Sequence, residues 1–165
     1  MSIWFQTYGF APVHDHLLVG AYPLDADDVG ALADQSVVRV LNLVEDSEYD
    51  RGRRFLVEAA LRSHGIDEHR MRLTDFGRLP ADRLEIAVDE VVGWMREGVT
   101  SYVHCRAGWQ RSAAVAAGAV AVHDGIDIEA ALDYVQRRKP SADPLPHQRR
   151  DLHVWWEARR RERAG

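Results

Sequence analysis

Residues Ser101–Ser112 read SYVHCRAGWQRS and hold the only cysteine of this 165-residue chain, Cys105. The stretch begins as a short apolar run that suits a strand, and the residues from Ser112 to Ala117 are strong helix formers. A strand, a tight loop with a glycine and a helix aim backbone N–H groups and a helix N-terminus at an anion. Because the same dipoles stabilise a thiolate, the stretch predicts a nucleophilic cysteine in an anion-binding loop.

The residue types of this loop suit the transfer of a phosphoryl group to Cys105. The guanidinium of Arg111 matches two phosphate oxygens, and Gly108 lets the backbone curl without a Cβ clash. Ser112 can donate its hydroxyl to the sulfur and so make it a better leaving group. The predicted substrate-binding residues form the loop itself: Arg106, Ala107, Gly108, Trp109, Gln110 and Arg111. These parts predict a thiophosphate intermediate that water then hydrolyses.

The composition is that of one ordinary globular domain over residues 1–165, with 46% hydrophobic and 28% charged residues. The net charge of −5 gives no indication of a nucleic-acid partner. A single cysteine excludes an internal disulfide framework and a cysteine-rich zinc site. The basic residues are nearly all arginine, with Lys139 the one lysine, a bias associated with GC-rich bacterial genomes.

The cellular location follows from the same cysteine and from hydropathy. A lone free thiol is easiest to keep reduced in the cytosol. The first residues do not resemble a signal peptide, and no apolar run approaches the ~18 residues of a membrane span. We therefore expect a cytoplasmic protein without stable membrane insertion.

Apolar runs and helical periodicity alternate along the chain. The predicted strands are Leu17–Val19, Val37–Leu43, His69–Leu73 and Ser101–Val103. The predicted helices cover about residues 26–35, 50–62, 80–97, 112–123, 127–138 and 147–163. The aromatic residues near the N-terminus are expected to pack as a lid: Trp4, Phe5, Tyr8 and Phe10. This alternation predicts an α/β domain with a mostly parallel central sheet and the cysteine loop at the carboxyl end of its strand.

His104–Ser112 also resembles the HC-x-x-G-x-x-R-S signature of the cysteine-dependent protein tyrosine phosphatases, in particular the small dual-specificity branch. The resemblance covers roughly residues 14–155. It implies a four- or five-stranded sheet flanked by helices, with no metal and no cofactor. It assigns Cys105 as nucleophile, Arg111 as phosphate clamp and Ser112 as the hydroxyl that supports the thiolate.

The family also uses an aspartate upstream of the cysteine as general acid. Asp75 stands thirty positions before Cys105, in a loop ahead of the helix that Pro80 opens. It would protonate the leaving oxygen and then activate water. Asp82 is the alternative, but an acidic residue in the first turn of a helix is common for dipole reasons alone.

The resemblance leaves the substrate open. The chain has no room for the loop that deepens the pocket of the longer tyrosine-specific enzymes, which favours a dual-specificity protein phosphatase. Segments such as Leu17–Leu24 and Leu41–Glu45 are similar instead to the branch that dephosphorylates phosphatidylglycerophosphate, so an anionic phospholipid, including a phosphoinositide, is the alternative. A non-catalytic phospho-binding module is a second alternative, and a rhodanese-type sulfurtransferase would leave Arg111, Ser112 and Asp75 unexplained.

Four further positions carry weaker expectations. His14 and His16 suggest a metal pair, but no third ligand with a sensible spacing follows, so surface residues are the preferred interpretation. Asn42 resembles the asparagine of the family's buried strand, where it would brace the cysteine loop. His104 is expected to orient that loop by hydrogen bonding rather than to transfer protons.

Overall fold

A computed structural model describes residues 1–165, and its centre is one sheet of five short strands. The strands are β1 (Phe10–His14), β2 (Leu17–Gly20), β3 (Arg39–Asn42), β4 (Asp67–Arg70) and β5 (Ser101–His104). Their order across the sheet is β1-β2-β5-β3-β4; β1 and β2 are antiparallel, and every other pairing is parallel. The predicted α/β class with a mostly parallel sheet is therefore confirmed.

Seven helices cover the two faces of the sheet. They are α1 (Ile3–Tyr8), α2 (Ala26–Asp34), α3 (Arg53–Ser63), α4 (Ala81–Arg96), α5 (Arg111–Asp124), α6 (Ile128–Arg138) and α7 (Pro146–Ala164). Successive strand residues point to opposite faces. Val103 thus packs with α4, α5, α6 and α7 in the larger core, and Tyr102 packs with α1, α2 and α3 in the smaller one. None of these helices is both long and apolar enough to cross a membrane.

Helix α5 lies at the centre of the larger core, as its small residues predict. Every residue from Arg111 to Ala121 is buried. At Gly118 an added Cβ would lie 2.7 Å from a methyl carbon of Val88 on α4, so only glycine allows the two helices to approach this closely. The close packing holds α5, and with it the end of the cysteine loop, in one position.

The N-terminal segment is more regular than its sequence suggests. Helix α1 has only six residues and is capped by the preceding Ser2, whose hydroxyl accepts a hydrogen bond from the Phe5 N–H. Strand β1 follows it and contains Pro12, which an edge strand tolerates because one side of it has no partner. Both elements are absent from the sequence prediction, since neither is long enough to show a clear period.

Several predicted boundaries were wrong, and two of them show the reason. The strand expected at His69–Leu73 is β4, Asp67–Arg70, at the other edge of the sheet; its charged residues conceal the strand pattern. The helix expected from residue 50 begins at Arg53, after a left-handed Gly52 (φ 79°). Strand pairing sets the bounds of β4, and the turn at Gly52 sets the start of the helix, more than the local hydrophobic pattern does.

Candidate active site

The cysteine loop connects the carboxyl end of β5 to the first turn of α5. Its carbonyl at Arg106 accepts hydrogen bonds from the Tyr22 N–H (3.2 Å) and from Trp4 Nε1 (2.7 Å). Gly108 has φ 76°, and a Cβ there would lie 2.5 Å from the backbone of Gly20, so both the turn and the close contact require glycine. Contacts from Tyr22, Trp4 and Gly20 therefore fix the loop, and the turn at Gly108 is the one that the sequence predicts.

Cys105 is buried at the base of this loop, with its Sγ 3.2 Å from the Ser112 hydroxyl. Burial alone would raise the pKa of its thiol. The Arg111 charge, the Ser112 hydroxyl and the N–H groups of Ser112 and Gln110 outweigh burial, so the pKa lies below its usual value. The site therefore stabilises a thiolate, which is the nucleophilic form of cysteine.

Arg111 is fully buried and its guanidinium is held from one side. Both terminal nitrogens donate to the carboxylate of Glu48, at 2.7 and 2.8 Å, and Nη1 also donates to the Leu73 carbonyl at 2.9 Å. Burial lowers the pKa of Arg111, but Glu48 and the Cys105 thiolate raise it above its usual value. The Nε atom is buried without a partner. A buried N–H group without a hydrogen-bond partner, in the same site as a buried cysteine, can donate to a phosphoryl oxygen.

Glu48 is the functional residue that the sequence prediction missed. It lies in a 3-10 turn, Asp46–Glu48, that follows β3, and its carboxylate also accepts the Glu45 N–H at 2.8 Å. An acidic run directly after a buried parallel strand was the available signal, because strand carboxyl ends share one edge of the sheet with Cys105. Glu48 touches Arg111 and not the cysteine, so it is a positioning residue.

The structure places Asp75 in the site and leaves Asp82 outside it. Asp75 lines the same cavity as Cys105, and its Oδ1 lies 3.1 Å from Nη2 of Arg111. Asp82 is exposed in the first turn of α4. The Asp75 loop is held by α7, since His147 donates to the Phe76 carbonyl (2.9 Å) and Gln148 to the Gly77 carbonyl (3.2 Å). A carboxyl group in this position can exchange a proton with a ligand in the cavity.

The walls of the cavity are aromatic. Its volume is about 390 Å³, and the residues that line it beyond the catalytic candidates are Trp4, Tyr8, Phe76, Arg106, Ala107, Trp109 and Gln110. Tyr8 and Trp109 meet edge to face at 5.3 Å, and the Arg106 guanidinium lies 5.3 Å from the Trp4 ring. The N-terminal aromatic residues Trp4 and Tyr8 are thus part of the pocket wall, whereas Phe5 and Phe10 pack in the smaller core.

His104 and Asn42 stabilise different segments of the chain. His104 Nδ1 lies 3.2 Å from the Cys105 carbonyl, in keeping with the predicted orienting role. The Asn42 side chain makes no hydrogen bond to the cysteine loop, which corrects the expectation for it. It donates to the Tyr49 hydroxyl and to Glu68 and accepts the Val44 N–H, so it fixes the segment that carries Glu48.

The buried His104 predicts a pH dependence of stability. Burial lowers the pKa of its imidazole from 6.5 to about 4, so the unfolded chain binds a proton here more readily than the folded one. Between pH 7.5 and 5.0 this single group should lower the free energy of unfolding by roughly 2 kcal/mol. Urea unfolding of the protein and of His104→Asn at both pH values measures this loss of unfolding free energy. Equal losses in the two proteins would contradict the assignment.

The comparisons with known proteins concern the fold. No family model matches the chain, and no curated protein matches it. The solved structure of PTPMT1 in complex with PI(5)P has a TM-score of 0.81 at 23% identity, covering 94% of this chain and 99% of that one. Tk-PTP in the active form gives 0.77 at 21%, over 90% and 96%, and human DUSP28 gives 0.71 at 23%, over 92% and 95%. The predicted dual-specificity phosphatase fold is thereby confirmed.

Proposed function

We propose that this protein hydrolyses phosphate monoesters through a cysteinyl-phosphate intermediate. The observation that carries the proposal is that Cys105, Arg111 and Asp75 line one cavity, with the Nε of Arg111 unpaired. A nucleophile, a phosphate-binding cation and a proton donor therefore share a single site. A module that only bound phosphate would need neither the activated thiol nor the carboxyl group.

The reaction has two displacement steps at phosphorus. In the first, the Cys105 thiolate attacks phosphorus, the ester P–O bond breaks, and Asp75 gives its proton to the departing oxygen. In the second, Asp75 takes a proton from water, the water oxygen attacks phosphorus, and the S–P bond breaks. The Ser112 hydroxyl supports the departing thiolate, 3.2 Å away. Inorganic phosphate leaves, and Asp75 is again protonated.

Arg111 and the loop backbone supply the electrostatic part of catalysis. The transferred phosphoryl group carries its charge on three oxygens, and preorganised donors that meet this charge lower the barrier. Glu48 holds the Arg111 fork before substrate arrives, so little reorganisation is needed when it does. Asp75 contacts the same guanidinium, which keeps its carboxyl group beside the transferred phosphoryl.

The substrate class we propose is a phosphorylated protein, with phosphotyrosine favoured over phosphoserine and phosphothreonine. The cavity walls contributed by Trp4, Tyr8 and Trp109 suit a flat aryl group, because aromatic rings pack edge to face or offset. Helix α1 is anchored for this role: Ser2 donates through its N–H and its hydroxyl to the buried Asp28 of α2. The phosphatase would then have dual specificity with an aryl preference.

A phospholipid is the second candidate, and one observation favours it. Large apolar side chains are exposed at the rim of the cavity: Trp109 is 43% and Phe76 is 64% exposed. Exposed apolar side chains around a polar site are a feature of surfaces that meet a lipid interface. The likeness to PTPMT1, solved with PI(5)P, is compatible with such a substrate.

The deciding experiment compares kcat/KM on a phosphotyrosine peptide, a phosphothreonine peptide and phosphatidylglycerophosphate in vesicles. We expect the phosphotyrosine peptide to be hydrolysed fastest. Trp4→Ala should lower its kcat/KM roughly tenfold more than that of the phosphothreonine peptide, because the aryl contact is lost. Trp4→Phe is the matched control, since it keeps a ring without the N–H that bonds Arg106.

Other outcomes of this comparison would lead to different conclusions about the substrate or the function. A highest rate on the lipid vesicles would select the second candidate. Equal losses on both peptides in Trp4→Ala would contradict the aryl preference and leave the phosphatase activity standing. Tight phosphopeptide binding without turnover of any substrate would overturn the proposed function in favour of the binding module.

A further inference from the structure

A group of metal-ligating side chains lies at the end of the sheet opposite the cysteine loop. His14 ends β1 and pairs with Leu17, which in turn pairs with Ser101 at the start of β5. His123 and Asp124 are the last residues of α5, whose first residue is Arg111. A helix of this length spans about 20 Å, so the group lies at roughly that distance from the cavity.

The donor atoms of the three side chains converge on one point. His14 Nε2 lies 3.1 Å from each oxygen of the Asp124 carboxylate, and His123 Nδ1 lies 2.6 Å from one of them. All three donor atoms lie within 4.8 Å of one another. Two ligands bound at about 2.1 Å in a tetrahedral arrangement are about 3.4 Å apart, so an ion needs only small side-chain movements to enter.

The three side chains are partly exposed to solvent, and no cationic side chain competes for the carboxylate. The two salt bridges of Asp124 are both to histidines, and no lysine or arginine pairs with it. The His14 side chain is 13% exposed and packs beside the His123 and Tyr134 rings, which fixes its orientation. His123 and Asp124 are about a quarter exposed, so water can complete the coordination.

We propose that His14, His123 and Asp124 form a binding site for a divalent transition-metal ion such as Zn²⁺. Two imidazoles and one carboxylate suit Zn²⁺, Ni²⁺ and Co²⁺ and are a poor set for Mg²⁺ or Ca²⁺, which prefer oxygen ligands. The ion joins the edge strand β1 to the far end of the central helix α5. Its role is structural, since the site lies far from Cys105 and contributes nothing to phosphoryl transfer.

The sequence alone does not reveal this site, because His14 lies more than a hundred positions before His123 and Asp124. His16, which the spacing pairs with His14, lies beside the Thr100 hydroxyl (3.5 Å) and takes no part in the cluster. His14 is the last residue of β1, whereas His16 lies in the turn between β1 and β2, so the two side chains do not share one strand face. The other two ligands, His123 and Asp124, come from the end of α5, where no local motif signals them.

The test is calorimetric titration of tag-free Cys105→Ser protein with ZnCl2 and with MgCl2. The serine removes the one thiolate that could also bind zinc, so the result does not depend on the proposed function. We expect one Zn²⁺ per chain and no Mg²⁺ binding. His14→Gln and His123→Gln should each weaken Zn²⁺ binding by about a hundredfold, because even outer-shell partners contribute 10–100-fold. His16→Gln is the matched control and should bind Zn²⁺ unchanged.

A second measurement does not depend on whether the histidine variants fold. Zn²⁺ at a hundredfold excess over its Kd should raise the Tm of Cys105→Ser protein by roughly 5–10 °C, and Co²⁺ should give visible d–d absorption bands. Absence of Zn²⁺ binding, or equal weakening by His14→Gln and His16→Gln, would overturn the proposal and leave the three side chains as a hydrogen-bonded cluster.

Discussion

Cys105→Ser should lower the turnover of para-nitrophenyl phosphate by roughly 10⁴–10⁶-fold, the loss typical of removing a catalytic nucleophile. A serine hydroxyl at this position has nearly the same size, but its pKa is far too high for the loop dipoles and Arg111 to ionise it. The substitution therefore removes the nucleophile while it leaves the phosphate-binding loop intact. Assays in EDTA should show the same wild-type rate as assays without it, since the proposed mechanism uses no metal.

Binding and trapping measurements separate loss of chemistry from loss of the fold. Cys105→Ser should still bind a phosphotyrosine peptide, because Arg111 and the backbone N–H groups remain. Vanadate should inhibit the wild-type protein. Acid-quenched wild-type protein should carry one phosphoryl group by mass spectrometry, and the serine variant should carry none. Substantial turnover by Cys105→Ser would overturn the cysteinyl-phosphate mechanism.

Asp75→Asn should lower turnover by about 10²–10⁴-fold, which is the usual contribution of a general acid or base. The amide keeps the size of the side chain and can still lie beside Arg111, but it has no proton to give to the leaving oxygen. The loss should be largest for alkyl phosphates, whose leaving oxygens are strongly basic, and smaller for para-nitrophenyl phosphate. Steady-state rates across a series of leaving groups measure this difference.

The second step of the reaction, hydrolysis of the thiophosphate, provides a separate kinetic test of Asp75. With para-nitrophenyl phosphate the first step needs little acid catalysis, whereas hydrolysis of the thiophosphate still needs a base. Asp75→Asn should therefore release a burst of nitrophenol and accumulate phosphorylated Cys105. Asp82→Asn is the matched control and should leave all rates unchanged, because its side chain is exposed in the first turn of α4. An unchanged rate of Asp75→Asn on an alkyl phosphate would contradict the assignment.

Local patterns were sufficient for the elements that are buried in the core. The helix with Leu84, Val88 and Val91 on one face is α4, and the small-residue helix after the cysteine loop is α5 at the centre of the core. The edge elements were predicted less well. Strand β4 is charged and β1 contains a proline, because a strand at the edge of a sheet has one side free of partners.

The residues of the candidate site also fall into two groups, those that the sequence brings together and those that only the fold brings together. Cys105, Arg111 and Ser112 belong to one strand–loop–helix unit, so their spacing alone brings them together. Glu48 and Asp75 reach Arg111 from two other segments, at 2.7 and 3.1 Å. Asp75 could be anticipated from the family resemblance, which implies an upstream aspartate as general acid, whereas the sequence analysis gave Glu48 no role.

The amino-acid sequence by itself determined the fold class, the thiolate-stabilising loop and the proposed attack on phosphorus, because all of these depend on residues that are neighbours along the chain. Only the tertiary structure decided that Trp4 forms a wall of the cavity, that Glu48 fixes Arg111, and that His14 meets His123 and Asp124. Those contacts join segments tens of positions or more apart. Their physical cause is the packing of helices onto both faces of the sheet, which no local period along the chain encodes.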